Sequence, residues 1–286
     1  MTLLQLTILS LVQGFAELLP VSSSAHVIMA EKLMGLDPTS PALTMLLVML
    51  HTGTMFAVIV YYWRSWRTTY FSSPQAMRSN VLLLAAATAA TGLVGFGLLK
   101  LITHLMLASH PGFEIEHLFG NAKLMAGALA AAGVLIIVSA RLQARAAGGE
   151  GERERVRQPT VPQAMVIGAV QGLCLPFRGF SRSGATISAG IAMGVSQGRA
   201  EQFSFALAVV LTPAVIVKEG WRFYQAAGAA HQDLLTLLAP NLIGMLLSFG
   251  AGLLALRWLS RWLEQGRWHL FGGYCLCASL FVLWVG

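Results

Sequence analysis

Charge is scarce in this chain: 11% of its 286 residues are Asp, Glu, Lys or Arg, against about 25% in an ordinary soluble domain. Apolar residues make up 56% and the mean hydropathy is +0.68. That balance excludes a water-soluble globular fold and points to a polytopic membrane protein. Cysteine is also sparse. Cys174, Cys275 and Cys277 are odd in number and lie in apolar stretches, so no disulfide framework is expected and the Cys275-x-Cys277 pair reads as packing. The N-terminus lacks the basic n-region and cleavage site of a removable signal peptide, and it is expected to stay on the protein.

A bilayer span needs about 20 mostly apolar residues, and such stretches occur near 42–63, 80–103, 119–140, 203–220, 235–257 and 268–286. The apolar stretches around 1–30 and 162–195 are each broken halfway by Pro, Gly and polar residues. Irregular backbone at membrane depth is tolerated only inside protein or beside a water-filled cavity, so each reads as a re-entrant hairpin. The expected fold is therefore an all-α polytopic integral membrane protein, one domain over 1–286, with six transmembrane helices and two re-entrant helical hairpins. One hairpin plus three spans, taken twice, makes inverted repeats of about 1–145 and 160–286. The stretch 146–161, rich in Gly and charge, joins them as a solvated linker. Lys and Arg counted over alternating loops divide twelve to five, which places the 64–79, 141–161 and 258–267 loops in the cytoplasm and both termini outside. The net charge of +7 is thus a topology signal. The arginines are scattered and lack interleaved aromatics, so nucleic acid is not an expected partner. Trp63, Trp66, Trp221, Trp258, Trp262 and Trp268 fall at span ends, as interfacial anchors do.

The two polar breaks resemble one another. Both begin Val-Gln-Gly, at Val12 and Val170, and reach a serine-rich turn nine or ten residues later. In the first, Gln13 and Glu17 are four apart and share a helix face. Pro20 ends that helix, and Ser22, Ser23 and Ser24 are N-cap candidates for a second helix carrying His26. A helix N-terminus facing a cavity attracts an anion such as phosphate, and His26 beside it suits a nucleophile or general base working as neutral imidazole. Glu17 is placed to ligate a divalent cation or to orient the histidine. In the second break, Gln171 leads to Ser181-Arg182-Ser183-Gly184 and Thr186. The Arg182 guanidinium holds phosphate oxygens through parallel hydrogen bonds, and Ser181, Ser183 and Thr186 are hydrogen-bond donors for the same ligand. Ionisable groups inside a membrane are costly, which makes these clusters the default functional site. An Arg182–Glu17 ion pair without ligand is the bland alternative. His104, His110 and His117, with Glu114 and Glu116, read as a solvated loop rather than a metal site.

The run Gln13-Gly-Phe-Ala-Glu17-Leu-Leu-Pro20-Val-Ser-Ser-Ser-Ala-His26, followed by Gly179-Phe-Ser-Arg182-Ser-Gly-Ala-Thr186, resembles the two signature motifs of the bacterial undecaprenyl-diphosphate phosphatases, the bacitracin-resistance family of integral membrane enzymes. The similarity extends to His51-Thr52-Gly53-Thr54, Glu201-Gln-Phe-Ser-Phe205 and Pro213. There are departures. The first acidic position of the family is Gln13, the usual Thr-Gly before the histidine is Ser24-Ala25, and Pro176-Phe177-Arg178-Gly179 stands where the family has Pro-Gly.

The resemblance implies hydrolysis of undecaprenyl diphosphate to the monophosphate carrier of cell-wall synthesis, in the bacterial inner membrane, at a site facing the periplasm. Carried over by position, it makes Glu17, Ser23, His26 and Arg182 catalytic, with Gln13, Ser181, Ser183 and Thr186 binding substrate; Ser22, Ser24 and Gln171, which belong to the same two polar breaks, are expected to bind substrate beside them. Phosphoryl transfer depends on positioning and charge neutralisation, so Arg182, the helix N-termini and a divalent cation, Mg²⁺ or Ca²⁺ with Glu17 as ligand, are expected to hold the diphosphate. Attack falls to Ser23 activated by His26, or to His26 itself. The expected partners are the polyprenyl diphosphate and membrane lipids, with a homodimer compatible with the sequence. A transporter or flippase of a phosphorylated polyprenyl lipid is the rival reading, because inverted repeats with broken helices are transporter architecture.

Overall fold

A computed structural model of the chain describes residues 1–37, 40–109, 121–147, 158–229 and 234–285. The described residues form ten α-helices and no strand. Two short helices, α1 (Leu3–Leu18) and α2 (Ser23–Leu33), precede the long α3 (Pro41–Thr69), α4 (Pro74–Ser109) and α5 (Ala122–Ala147). The order then recurs, with short α6 (Val161–Leu173) and α7 (Arg182–Ala192) before α8 (Gln197–Ala229), α9 (Leu234–Glu264) and α10 (Trp268–Val285). Among the described residues, five helices are long and apolar enough to cross a membrane: α3, α4, α5, α9 and α10. The sixth expected span, 203–220, falls on α8, where the side chains at 215 and 218–219 lie outside those described. The loop holding His110, Glu114, Glu116 and His117, and most of the charged linker, also lie outside the described residues.

Local chemistry starts the two halves alike. The Gln5 side chain accepts a hydrogen bond from the Thr2 N–H at 2.8 Å, and Gln163 does the same for Thr160 at 2.8 Å. These are capping-box contacts. Each glutamine then donates across its hairpin to the C-cap carbonyl of the partner helix, Gln5 to Met34 at 3.5 Å and Gln163 to Met193 at 3.0 Å. The chain leaves α1 at Leu19 in extended conformation (φ −74°, ψ 149°), the conformation that a following proline favours.

The hairpins seat themselves through the glycine of each Val-Gln-Gly. A Cβ on Gly14 would lie 2.5 Å from Ala251 Cβ of α9, and one on Gly172 would lie 2.8 Å from the Thr91 carbonyl of α4. These two positions let α1 lie against α9 and α6 against α4. Around them α3 packs on both α8 and α9, and α5 packs on α10 and α7. The interior is mainly aliphatic and aromatic. Tyr62, Trp66 and Tyr70 form a buried stack along α3, with Phe205 of α8 against Tyr62. Glu201 of α8 is buried beside them and accepts hydrogen bonds from Tyr62 and, at 3.2 Å, from Ser260 of α9, which ties three helices together.

Trp63, Trp221 and Trp258 are exposed, as anchors should be. Trp66 and Trp268 are buried instead. Trp268 donates to Ser139 at 3.1 Å and to Ser188 at 3.3 Å, because an indole N–H taken into a core needs an acceptor. All three cysteines are free. Large apolar side chains such as Leu93, Val217 and Trp284 cover the outside, 77%, 72% and 82% exposed. Such a surface is stable against lipid and not against water, and the protein is a multi-pass membrane protein.

A methyl group added at the helix crossings cannot be absorbed. Gly14→Ala and Gly172→Ala are each expected to lower stability by about 1–3 kcal/mol, the cost of overpacking. Gly97→Ala, where a Cβ meets nothing within 4 Å, is expected to be neutral or stabilising by up to about 1 kcal/mol through helix propensity. Thermal unfolding of the three variants in detergent checks the order.

Candidate active site

The site is assembled where the two broken hairpins meet α3. The Glu17 carboxylate lies near the end of α1, and its side chain keeps only 11% of its surface. One oxygen, Oε1, accepts from Arg182 Nη2. The other, Oε2, accepts from Ser23 Oγ at 2.5 Å and from Gln13 Nε2 at 3.1 Å. It also accepts from His51 Nε2 of α3 at 3.2 Å. The second ring nitrogen of His51, Nδ1, lies 2.8 Å from the Leu47 carbonyl. Both nitrogens therefore face acceptor-only oxygens, the arrangement of a ring that donates from both and carries a positive charge. One carboxylate between two cations leaves the group net positive, which suits an anionic ligand.

Two turns set this geometry, and each has a strained or permissive residue at its corner. Ser22 has φ 70°, the one positive value among described non-glycine residues, and Gly179 has φ 101°. At Gly179 a Cβ would also meet the Met125 carbonyl at 2.3 Å, so the position excludes any side chain. The turns are laced to each other. The Gly179 N–H donates to Ser24 Oγ at 3.3 Å, and Ser183 Oγ donates to the Leu19 carbonyl at 3.3 Å. Ser23 and Arg182 consequently occupy the first positions of α2 and α7, two helix N-termini aimed into one place. The Pro176–Gly179 stretch lies in the turn before α7, and Arg182 reaches Glu17.

Of the sequence-predicted residues, Gln13, Glu17, Ser23 and Arg182 come together directly. His26 does not join them. Its Nδ1 lies 2.8 Å from the Ser22 carbonyl and its Nε2 lies 2.7 Å from the Tyr274 hydroxyl of α10. The expected Ser23–His26 pair is therefore not formed, because the Ser23 hydroxyl donates to the carboxylate. Ser22 sits at the N-cap of α2 but makes no side-chain capping bond; its hydroxyl lies 3.3 Å from that of Ser24. Ser181 does cap α7, accepting from the Gly184 N–H at 3.2 Å. Thr186 is fully buried, bonded to the Arg182 carbonyl at 2.7 Å and to Ser204 at 2.6 Å, so it supports the arginine turn from behind. Gln171 is buried and donates to Thr91 at 3.4 Å. It holds the second hairpin on α4 and does not touch the carboxylate. His51 is the residue that sequence reasoning left out of the site. Its signal was the histidine of His51-Thr-Gly-Thr inside an apolar span, which alone reads equally well as packing.

A narrow cleft opens from these groups between α3 and α8. Glu17, His51 and Arg182 form its polar end, and Met55, Val58, Phe205 and Val209 form its walls. The donor set does not make a protein-only cation site as arranged. Both oxygens of Glu17 already accept from four donors, and the described residues contain no group of three His, Cys, Asp or Glu able to hold a metal ion.

The chain as a whole is similar to known proteins. The family model described as bacitracin resistance protein BacA matches residues 6–281. The chain is 60% identical to undecaprenyl-diphosphatase 2 of Acinetobacter baylyi, over 99% of this chain and 98% of that protein. It is 34% identical to undecaprenyl-diphosphatase 1 of Burkholderia pseudomallei, over 99% and 96%. It is 32% identical to the undecaprenyl-diphosphatase of Acidiphilium cryptum, over 96% and 95%.

Removing the carboxylate while keeping its shape isolates the two cations. Glu17→Gln is expected to lower stability by roughly 2–3 kcal/mol, less than the ~3–5 kcal/mol of a fully buried broken pair because Arg182 and His51 keep partial exposure. Inorganic phosphate should restore more of the loss in Glu17→Gln than it adds to the unsubstituted protein, by binding the folded state. Thermal unfolding in detergent with and without phosphate reads both effects.

Proposed function

The chain belongs to the bacitracin resistance protein BacA family, and from that membership we propose that it hydrolyses undecaprenyl diphosphate to undecaprenyl phosphate and inorganic phosphate, as the names of its relatives state for them. It is an integral membrane phosphatase. The observation that carries the reading is the Glu17 carboxylate held between Arg182 and His51 at the mouth of an apolar-walled cleft.

The groups assign themselves by what each hydrogen bond permits. The terminal phosphate takes the place of Glu17 on Arg182, whose planar fork suits two phosphate oxygens, and on the His51 Nε2–H. The N-termini of α2 and α7 add backbone donors and the positive ends of two helix dipoles. Glu17 released from the cations is a stronger base, and the hydroxyl 2.5 Å away is Ser23. In the first step Ser23 gives its proton to Glu17, its Oγ bonds to the terminal phosphorus, and the bridging P–O bond breaks to release the polyprenyl monophosphate. In the second step water attacks the serine phosphate and gives a proton to His26 Nε2, while the departing Ser23 Oγ recovers its own proton from Glu17. Phosphate leaves, and His26 returns its proton to solvent. Met55, Val58, Phe205 and Val209 accommodate the first isoprene units beside the diphosphate. Glu17, once free of Arg182 and His51, is the residue that would hold a divalent cation, Mg²⁺ or Ca²⁺, beside the diphosphate, and the ion would neutralise phosphate charge there.

The same reading includes the membrane arrangement. Six spans and two re-entrant hairpins form inverted repeats of about 1–145 and 160–286. The matched capping contacts at Thr2 and Thr160 and the crossed bonds to Met34 and Met193 support a duplication, and the twelve-to-five charge asymmetry supports a cytoplasmic linker. The active site then faces the periplasmic side of the inner membrane.

Phosphate release from purified, detergent-solubilised protein given a polyprenyl diphosphate tests the activity where no second leaflet exists. Arg182→Ala is expected to lower kcat about 10²–10³-fold, as loss of a charge stabiliser of the transition state does. Arg182→Lys should recover only part of that, because the point charge lacks the fork. His51→Gln, which keeps a donor and loses the charge, is expected to fall about tenfold. Near wild-type turnover in Arg182→Ala and Glu17→Ala would show that the site lies elsewhere. No release from folded wild type would favour lipid translocation. Calcium binding measured by calorimetry is expected to be weak for the protein alone and to appear with a non-hydrolysable diphosphate analogue.

A further inference from the structure

We infer that Tyr274 is a positioning residue for His26: it holds the ring with Nε2 as the reactive atom, and its hydroxyl leaves that nitrogen before the histidine takes a proton. The inference rests on the phosphatase reading above, which gives His26 the hydrolytic step.

The tautomer follows from the neighbours. Nδ1 faces the Ser22 carbonyl at 2.8 Å, and a carbonyl only accepts, so Nδ1 carries the hydrogen. That carbonyl is part of the turn where Ser22 adopts φ 70°, a conformation rare outside glycine. In the neutral ring the lone pair is then on Nε2, and the Tyr274 hydroxyl 2.7 Å away donates to it. The two rings also stack, with centroids 5.6 Å apart and planes 14° from parallel. The stack limits rotation of the imidazole, and the hydrogen bond fixes which edge faces out.

Tyr274 is tied to the same turn by a second contact. Its neighbour Cys275, buried, donates from Sγ to the Pro20 carbonyl at 3.3 Å, so α10 is anchored where the first hairpin breaks. Tyr274 is 48% exposed, which leaves its side chain room to turn away while its backbone stays. A base cannot accept a proton through a lone pair already bonded to a hydroxyl, so the Tyr274 bond and the hydrolytic step exclude each other in time. The contact keeps Nε2 aimed and occupied in the resting protein and leaves it free once substrate moves the phenol.

Carbethoxylation by diethyl pyrocarbonate, followed at His26 by peptide mass spectrometry, reads the availability of that lone pair without any turnover. Tyr274→Phe keeps the ring and is expected to speed modification about fivefold, the equilibrium weight of one ordinary hydrogen bond. Its kcat for phosphate release should not fall. Tyr274→Ala removes the stack as well and is expected to lower kcat at least about tenfold with KM unchanged, because the ring loses its aim. Equal modification rates in wild type and Tyr274→Phe would overturn the inference, as would an equal loss of kcat in the Phe and Ala variants. If wild type releases no phosphate, the phosphatase reading fails by that result, and the modification rates still decide the role of Tyr274.

Discussion

A carboxylate at membrane depth is unstable without cations, and a cation there is unstable without anions. Glu17, Arg182 and His51 satisfy one another, and the rest of the fold is arranged to bring them within reach. Each comes from a separate helix, α1, α7 and α3, so no local segment can build the group alone. The two hairpins must both break at the correct depth, and α3 must lie against them. The matched Gln5 and Gln163 bonds across the hairpins, and the glycines seating α1 on α9 and α6 on α4, serve that alignment.

In the proposed reaction the resting arrangement is also a ligand mimic. Arg182 and His51 hold the carboxylate in the way they would hold a phosphate, and the dianion or trianion of a diphosphate competes with one side-chain charge. In the proposed reaction that exchange frees Glu17 when a base is wanted beside Ser23. A site that stored its cations without a counter-charge would be unstable before substrate arrived, while one that neutralised them with two carboxylates would bind phosphate weakly. Gln13 in place of a second acid keeps the balance at one negative against two positive groups, and still orients Glu17 through its amide.

Much of the scaffold was legible in the sequence because its signals are compositional or local. The long apolar helices follow from apolar length, and the breaks from Pro20 and the serine-rich turns. The meeting of Glu17 with Arg182 was legible as an ion pair because neither charge has an alternative in lipid. Contacts that depend on which face of a long helix turns inward were not. Trp66 and Trp268 stand at span ends and read as anchors, yet they are buried, because end position does not fix rotation about the helix axis. His51 and Tyr274 lie 34 and 248 residues from their partners, Glu17 and His26, and no spacing rule connects them.

Ser23 and His26 show how a sound local rule gives way. Residues three apart on a helix are neighbours, and a serine beside a histidine suggests the familiar nucleophile and base. The rule fixes proximity of the Cβ atoms and not the direction of a hydrogen bond. A hydroxyl donates to the strongest acceptor it reaches, and an ionised carboxylate outweighs a neutral imidazole. With the serine proton committed to Glu17 and the histidine edge turned to Tyr274, one pair of adjacent residues serves two different partners. In the proposed reaction that division gives each of the two displacements its own base, so that neither must be reset before the other begins.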